Sequence, residues 1–223
     1  MLKDNLSYDG CFLPTKTTDL VLEVAKKKNF GDVLDLGCGS GIIGIELKLN
    51  NPSINLHLSD VSVSAIKTAK ENISKLGLQA KVYQSNIFDS WVGKKFDLIV
   101  NDVSGVTEEI AKETPWFKNV PCQTGSSGLK LTELVIKESS LYLKEKGCLI
   151  FPFISLSSKQ AIKNILAQYT YHKLLLSKEW PLPPELLGMK KRLFELREQG
   201  LVDFKEKYGL LVGYTEVYSL SPV

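Results

Sequence analysis

Short apolar runs and longer segments of helical period alternate along the chain. Asp32-Val33-Leu34-Asp35-Leu36 is short, partly β-branched and ends at a glycine cluster, the pattern of a buried strand. Ile54 to Ser59 alternates apolar and polar residues after the helix breaker Pro52 and predicts a second strand. Val63, Ile66, Ala69, Ile73 and Leu76 recur at helical spacing, with Ser62 as the expected N-cap and Gly77 as the stop. Ala80–Tyr83, Phe96–Val100 and Cys148–Phe153 predict three further strands, with a helix over Leu129–Leu143 before the last. The repeated order of strand, turn, helix and strand predicts βαβ units around a parallel sheet.

Beyond Ile154 the pattern predicts a helix at about Ser158–Tyr169, a strand at Tyr171–Ser177 and a Pro-rich corner at Trp180–Pro184. A charged helix at about Glu185–Gln199 follows, then strands around Val202 and Leu210–Ser219. The expected architecture is an α/β, Rossmann-like, seven-stranded and mostly parallel sheet with helices on both faces and an antiparallel strand at the C-terminal edge. No linker or repeat divides the sequence, so residues 1–223 are expected to form a single domain. Within it, 1–30 is expected to cover substrate and cofactor, and 180–200 to be a helical insertion over one end of the site.

The chain's 223 residues, 43% hydrophobic and 24% charged, suit one core of full size. A net charge of +3, with Lys and Arg spread among acids, neither demands nor excludes nucleic acid. The expectation is no strong nucleic-acid binding and a small-molecule or protein substrate. Cys11, Cys38, Cys122 and Cys148 form no CxxC pair, and His57 and His172 stand alone, so no metal site is expected. Cys122 has no sequence-near histidine to activate it and reads as structural, and His172 as packed or solvated. The N-terminus lacks a signal-peptide run and no segment reaches membrane-spanning length, which makes cytoplasmic residence with reduced thiols the default.

Asp35-Leu36-Gly37-Cys38-Gly39-Ser40-Gly41 turns from strand into helix, where glycines let the backbone bend sharply and approach a ligand closely. Gly39-Ser40-Gly41-Ile42-Ile43-Gly44 also satisfies the dinucleotide fingerprint GxGxxG. A pyrophosphate would be repelled by the nearby Asp35 carboxylate, whereas S-adenosyl-L-methionine offers an ammonium and a sulfonium. Asp60, at the end of the second strand, is placed to accept from both ribose hydroxyls, or else is an N-terminal acid of the next helix. Asn86 is either an adenine-edge partner or a solvated loop residue, with Val61 and Ile87 as apolar neighbours for the ring. Thr18 either reaches the ligand's carboxylate or caps the first helix.

These residues resemble class I S-adenosylmethionine-dependent methyltransferases, and specifically the HemK-type branch of protein-glutamine and small-domain RNA methyltransferases. Phe12-Leu13-Pro14 with Thr17-Thr18, the loop Val33 to Gly41, Asp60, Phe96 to Asn101, and Gly125-Ser126-Ser127-Gly128-Leu129 occur in the family's order, over about Tyr8 to Ser155. The resemblance implies cofactor binding by Thr18, Asp35, Gly37, Cys38, Gly39, Gly41, Asp60, Val61, Asn86, Ile87 and Asn101. It breaks where the family has Asn-Pro-Pro-Tyr and this chain has Asn101-Asp102-Val103-Ser104. In the family that motif holds the acceptor NH2 and packs a ring on its planar group, so glutamine-amide methylation does not follow from the resemblance.

Methyl transfer from a sulfonium is an in-line displacement that needs alignment and, for a protonated acceptor, a base. Asn101 is the expected orienting group and Asp102 the expected base, the alternative for Asp102 being a cap for a helix near Gly105. Pro115-Trp116-Phe117 either walls the acceptor site or packs in the core. Three functions remain open from sequence: methylation of a small molecule or protein side chain, methylation of RNA, or cofactor binding without catalysis.

Overall fold

The computed structural model describes residues 2–27, 30–103, 105–117 and 124–222, so the expectations for Ser104 and Cys122 lie outside the described residues. Helix α1 (Lys16–Ala25) precedes strand β1 (Asp32–Leu36), helix α2 (Ile42–Asn50), strand β2 (Asn55–Asp60), helix α3 (Val63–Lys75), strand β3 (Ala80–Gln84) and strand β4 (Phe96–Val100). Ser62 caps α3 by accepting from Ala65 N, and Gly77 lies beyond the helix at φ +64°, as the spacing predicts. Helices α4 (Glu108–Glu113) and α5 (Lys130–Tyr142), strand β5 (Leu143–Ile154), helix α6 (Lys159–Leu166) and strand β6 (His172–Pro181) follow. Short α7 (Pro184–Leu187), α8 (Lys190–Glu198), β7 (Lys205–Lys207) and β8 (Leu210–Leu220) complete the elements.

The sheet runs β3-β2-β1-β4-β5-β8-β6, seven strands on one path, with three-residue β7 pairing β8 beside it. β1 through β5 are parallel, and β8 runs antiparallel between β5 and β6 at the C-terminal side. The central strands are buried on both faces. Val33, Leu98, Val100 and Ile150 join one core with α1, α2 and α3, while Leu34, Ile99, Leu149 and Phe151 join another with α5 and α6. That alternation is the period of a pleated strand, and it explains why the central strands read as continuous apolar runs. Chain order reverses between β1 and β4, and a ligand crevice is expected at their C-terminal ends.

Three elements depart from the sequence reading. The helix over 185–199 is two helices divided at Gly188 and Met189, glycine being a poor helix former. Val202 is not in a strand: it is 3% exposed, in a third core with Val106, Ile110, Leu182, Leu193 and Leu196, and the strand begins at Lys205. β6 continues through the Pro-rich corner, pairing Trp180 with Gly213 and Pro181 with Val212, a place where an edge strand tolerates proline.

Candidate functional site

Gly37, Gly39 and Gly41 have φ of +74°, +52° and +80°, the left-handed region that glycine enters without strain. At Gly37 a Cβ would also lie 2.4 Å from Val103 Cγ1, so no side chain fits. The loop is fastened to β2. Gly37 N and Cys38 N donate to Ser59 O at 2.8 and 3.0 Å, Gly39 N donates to Asp60 Oδ2 at 2.9 Å, and Ser62 N donates to Asp60 Oδ1 at 2.9 Å. Asp60 thus holds the glycine loop and the start of α3 together, and each oxygen retains a second lone pair for a ligand hydroxyl.

A cavity of about 1020 Å³ opens at the C-terminal ends of β1, β2 and β4. Of the expected cofactor residues, Thr18, Gly37, Gly39, Asp60, Val61, Asn86, Ile87 and Asn101 line it, as does Asp102. Asp35, Cys38 and Gly41 do not. Asp35 shares a face of β1 with Val33, and its carboxyl lies under the loop, 2% exposed, where Oδ2 accepts from Gly44 N at 2.8 Å. Cys38 is buried, and Gly41 is the N-cap of α2. Asp35 therefore reaches a ligand through its charge and not through contact.

Ile87 occupies φ +48°, an unfavourable region for a β-branched residue, in a turn where Ser85 Oγ donates to Ile87 O at 3.0 Å and accepts from Ser90 N at 3.1 Å. That turn sets Ile87 into the cavity, with exposed Val61 and Asn86 also on the wall.

At the end of β4, Asn101 is 1% exposed, and its Nδ2 donates to Leu36 O at 2.9 Å. This fixes the amide orientation. The other amide atom, Oδ1, accepts no hydrogen bond from the described residues, a costly state for a buried acceptor. Asp102 does not cap a helix: the N-cap of α4 is Thr107, whose hydroxyl accepts from Ile110 N. Its carboxyl instead faces the cavity near Thr18, whose Oγ1 accepts from Thr15 N at 3.1 Å in a capping box at the start of α1. Of the two roles read for Thr18, the structure shows its part in the helix cap, and the side chain also lines the cavity.

Burial raises Asp102 to about 6, with a further push from Asp19 and an opposing pull from Thr18. Burial likewise raises Asp35 to about 7; the Gly44 N–H opposes it, and the Asp102 and Asp60 charges add to it. With Asp60 and Asp102 on the wall and Asp35 beneath the glycine loop, acids outnumber the lining cation Lys16, which suits a ligand carrying an ammonium and a sulfonium better than a pyrophosphate.

The remaining wall is apolar and aromatic. Phe12 and Phe117 stack at 5.1 Å between centroids, bringing the N-terminal segment against the short helical turn Pro115–Phe117. Trp116, Trp180, Leu182 and Ile154 complete this side, so Pro115-Trp116-Phe117 lines the cavity and also abuts the third core. Trp180 and Leu182 were not anticipated as lining residues. The only signal for them was an aromatic beside a Pro-rich corner, and their position depends on long-range pairing of β6 with β8.

A Rossmann-like sheet, a glycine loop tied to an acid on β2, and an asparagine just after β4 resemble the cofactor end of the S-adenosylmethionine-dependent methyltransferases. Residues 14–102 match the model of the methyltransferase small domain family. Ribosomal RNA small subunit methyltransferase C of Haemophilus influenzae is 40% identical over 85 residues, 38% of this chain and 26% of that protein. Release factor glutamine methyltransferase of Clostridium botulinum is 32% identical over 185 residues, 76% of this chain and 64% of that protein. The chain thus spans between a quarter and two thirds of these relatives. Among solved structures, the Thermus thermophilus 16S rRNA N2 G1207 methyltransferase in complex with AdoMet and guanosine aligns with a TM-score of 0.60 at 12% identity, over 94% of this chain and 44% of that one. The ribosomal protein L11 methylase of Lactobacillus delbrueckii subsp. bulgaricus aligns with a TM-score of 0.56 at 18% identity, over 93% and 81%.

The likeness to methyltransferases of known structure shows the fold, and the family match over residues 14–102 falls on the part of the chain that carries the glycine loop, Asp60 and Asn101. The expectation of a small-molecule or protein substrate without strong nucleic-acid binding is corrected: relatives matched over the cofactor half are ribosomal RNA methyltransferases. A modest net charge was a poor guide because it averages over the whole surface. No helix among the described residues is long and apolar enough to cross a membrane.

Proposed function

We propose that this chain methylates a nitrogen on a planar acceptor, and that the acceptor is a nucleobase of RNA. One observation carries the reading: the unpartnered Asn101 Oδ1 and the Asp102 carboxylate adjoin a cavity whose far wall is built from Phe12, Trp116, Phe117 and Trp180. Such a chamber favours a flat group with an N–H to donate, entered from a strand with an unstacked base. The ribosomal RNA relatives support this reading.

Bound S-adenosylmethionine supplies an electrophilic methyl group. Asn101 Oδ1 accepts a hydrogen from the acceptor nitrogen and turns its lone pair toward that methyl. As the new C–N bond forms and the C–S bond breaks, the nitrogen becomes acidic, and Asp102 takes its proton and passes it to water. Asp60 and the glycine loop hold the nucleoside end, between Val61 and Ile87. Residues 1–30 act as the cover, residues 180–200 as the acceptor wall, and 1–223 as one unit working in the cytoplasm.

The test offers methyl-labelled donor with ribosomal RNA, transfer RNA and total protein as separate acceptor pools. Label in an RNA pool, mapped to a base nitrogen by nucleoside mass spectrometry, is expected. Label confined to protein rejects the nucleobase.

A further inference from the structure

We infer that Trp180 is the platform on which the planar acceptor stacks. This rests on the nucleobase reading and adds the residue that selects the acceptor.

Trp180 stands near the end of β6 opposite Gly213 of β8. Because Gly213 lacks a side chain, the indole can lie over the strand: a Cβ there would be 3.2 Å from Trp180 Cη2 and 2.5 Å from Ser155 Oγ. The indole N–H is also satisfied, donating to Thr215 Oγ1 at 2.9 Å. Thr215 is fully buried, and its hydroxyl lies 3.1 Å from Thr17 Oγ1 at the start of α1. The ring is therefore seated on backbone and anchored through its one polar atom, and that anchor reaches the helix that carries Thr18. What is left of the half-buried ring lines the cavity.

The other rings are engaged differently. Phe12 and Phe117 stack on each other, whereas Trp180 has no ring partner among the described residues. A rigid indole with its N–H already bonded offers a flat apolar surface without a rotamer to freeze, and that suits any base, since every base has a π-face. Discrimination among bases then falls to Asn101 and Asp102.

The experiment saturates the protein with S-adenosylhomocysteine and titrates the four ribonucleosides calorimetrically. At least one is expected to bind wild type. Trp180→Ala should weaken it roughly 5- to 150-fold, the usual range for one base–aromatic stack, while Trp180→Phe keeps most of the affinity. S-adenosylhomocysteine affinity should be unchanged in both variants, and both should remain folded at the titration temperature, Trp180→Ala with a lowered melting temperature for its lost packing. Wild-type nucleoside affinity in Trp180→Ala overturns the platform and leaves the nucleobase reading standing. Equal losses in the Phe and Ala variants, or a matching loss of S-adenosylhomocysteine binding, reduce Trp180 to a structural residue and also overturn it. Failure of every nucleoside to bind wild type overturns both readings.

Discussion

Thr18, in the first turn of α1, and Asp102, just after β4, line one cavity, and the Thr18 hydroxyl holds the Asp102 carboxyl lower than burial alone would. The Thr18 oxygen accepts from Thr15 N at 3.1 Å, which fixes it at the first turn of α1. Thr18 favours the ionised acid and opposes burial and Asp19, which together raise Asp102 to about 6. A base works deprotonated, so wild-type turnover should fall on acidification through about 6. In Thr18→Val the donor is gone and the fall should come at higher pH, whereas Thr18→Ser should retain the wild-type profile. The pH dependence of kcat checks this; an unmoved profile in a folded Thr18→Val protein would separate Thr18 from the proton.

Asn101 and Asp102 should differ in their pH behaviour. Asn101→Ala removes an orienting acceptor that does not titrate, and turnover should drop at every pH. Asp102→Asn should abolish most turnover and flatten the acid limb. Cofactor affinity, measured by titration with S-adenosylhomocysteine, should change little in Asp102→Asn. If both variants turn over as wild type, neither residue serves the transfer.

The central sheet was legible because its strands are buried on both faces and bounded by Gly77, Pro52 and the glycine loop. The bounds read for β1 and β4, Asp32–Leu36 and Phe96–Val100, are those of the structure. The loop's glycines could likewise be placed, since positive φ restricts the choice of residue. Side-chain direction was harder. Asp35 reads as a ligand contact until the pleat of β1 turns it beneath the loop, and of the two readings for Thr18 the structure shows the helix cap. Trp180 could not be found locally, because its seat is Gly213, thirty-odd residues away across an antiparallel pair. Charge composition misdirected the choice of partner, since +3 over 223 residues says nothing of where the cations lie.

Asp60→Ala should cost more than a ribose contact. The carboxylate accepts from Gly39 N and Ser62 N at 2.9 Å each, and its loss leaves both amides short of a partner while loosening the glycine loop. Affinity for S-adenosylhomocysteine should fall by on the order of 2–4 kcal/mol, the range for losing an ionised acceptor and its hydrogen bonds. Asp60→Asn keeps one carbonyl oxygen and should lose less. Calorimetric titration of the two variants decides; an unchanged dissociation constant in Asp60→Ala would remove Asp60 from the site.

Asp35 gives a prediction of stability against pH. Burial, with the charges of Asp102 and Asp60, raises it to about 7 in the folded chain, above the ordinary carboxylate value. Below about 4 the group is protonated in both folded and unfolded chains and adds no pH dependence. Between there and about 7 the unfolded chain ionises while the folded one keeps its proton, so stability is lost as pH rises through this window. Asp35→Asn still offers an oxygen to Gly44 N but cannot ionise. Without ligand it should therefore be more stable than wild type at pH 8, by on the order of 1–3 kcal/mol, with the difference closing near pH 4. Ligand binding should show the opposite preference, because the sulfonium of S-adenosylmethionine gains from the Asp35 charge and neutral S-adenosylhomocysteine sulfur does not. At pH 8 the variant should lose affinity for the donor relative to the product. Chemical unfolding at the two pH values and paired titrations measure both effects; stability curves that run parallel across the window would show that Asp35 ionises as an ordinary carboxylate.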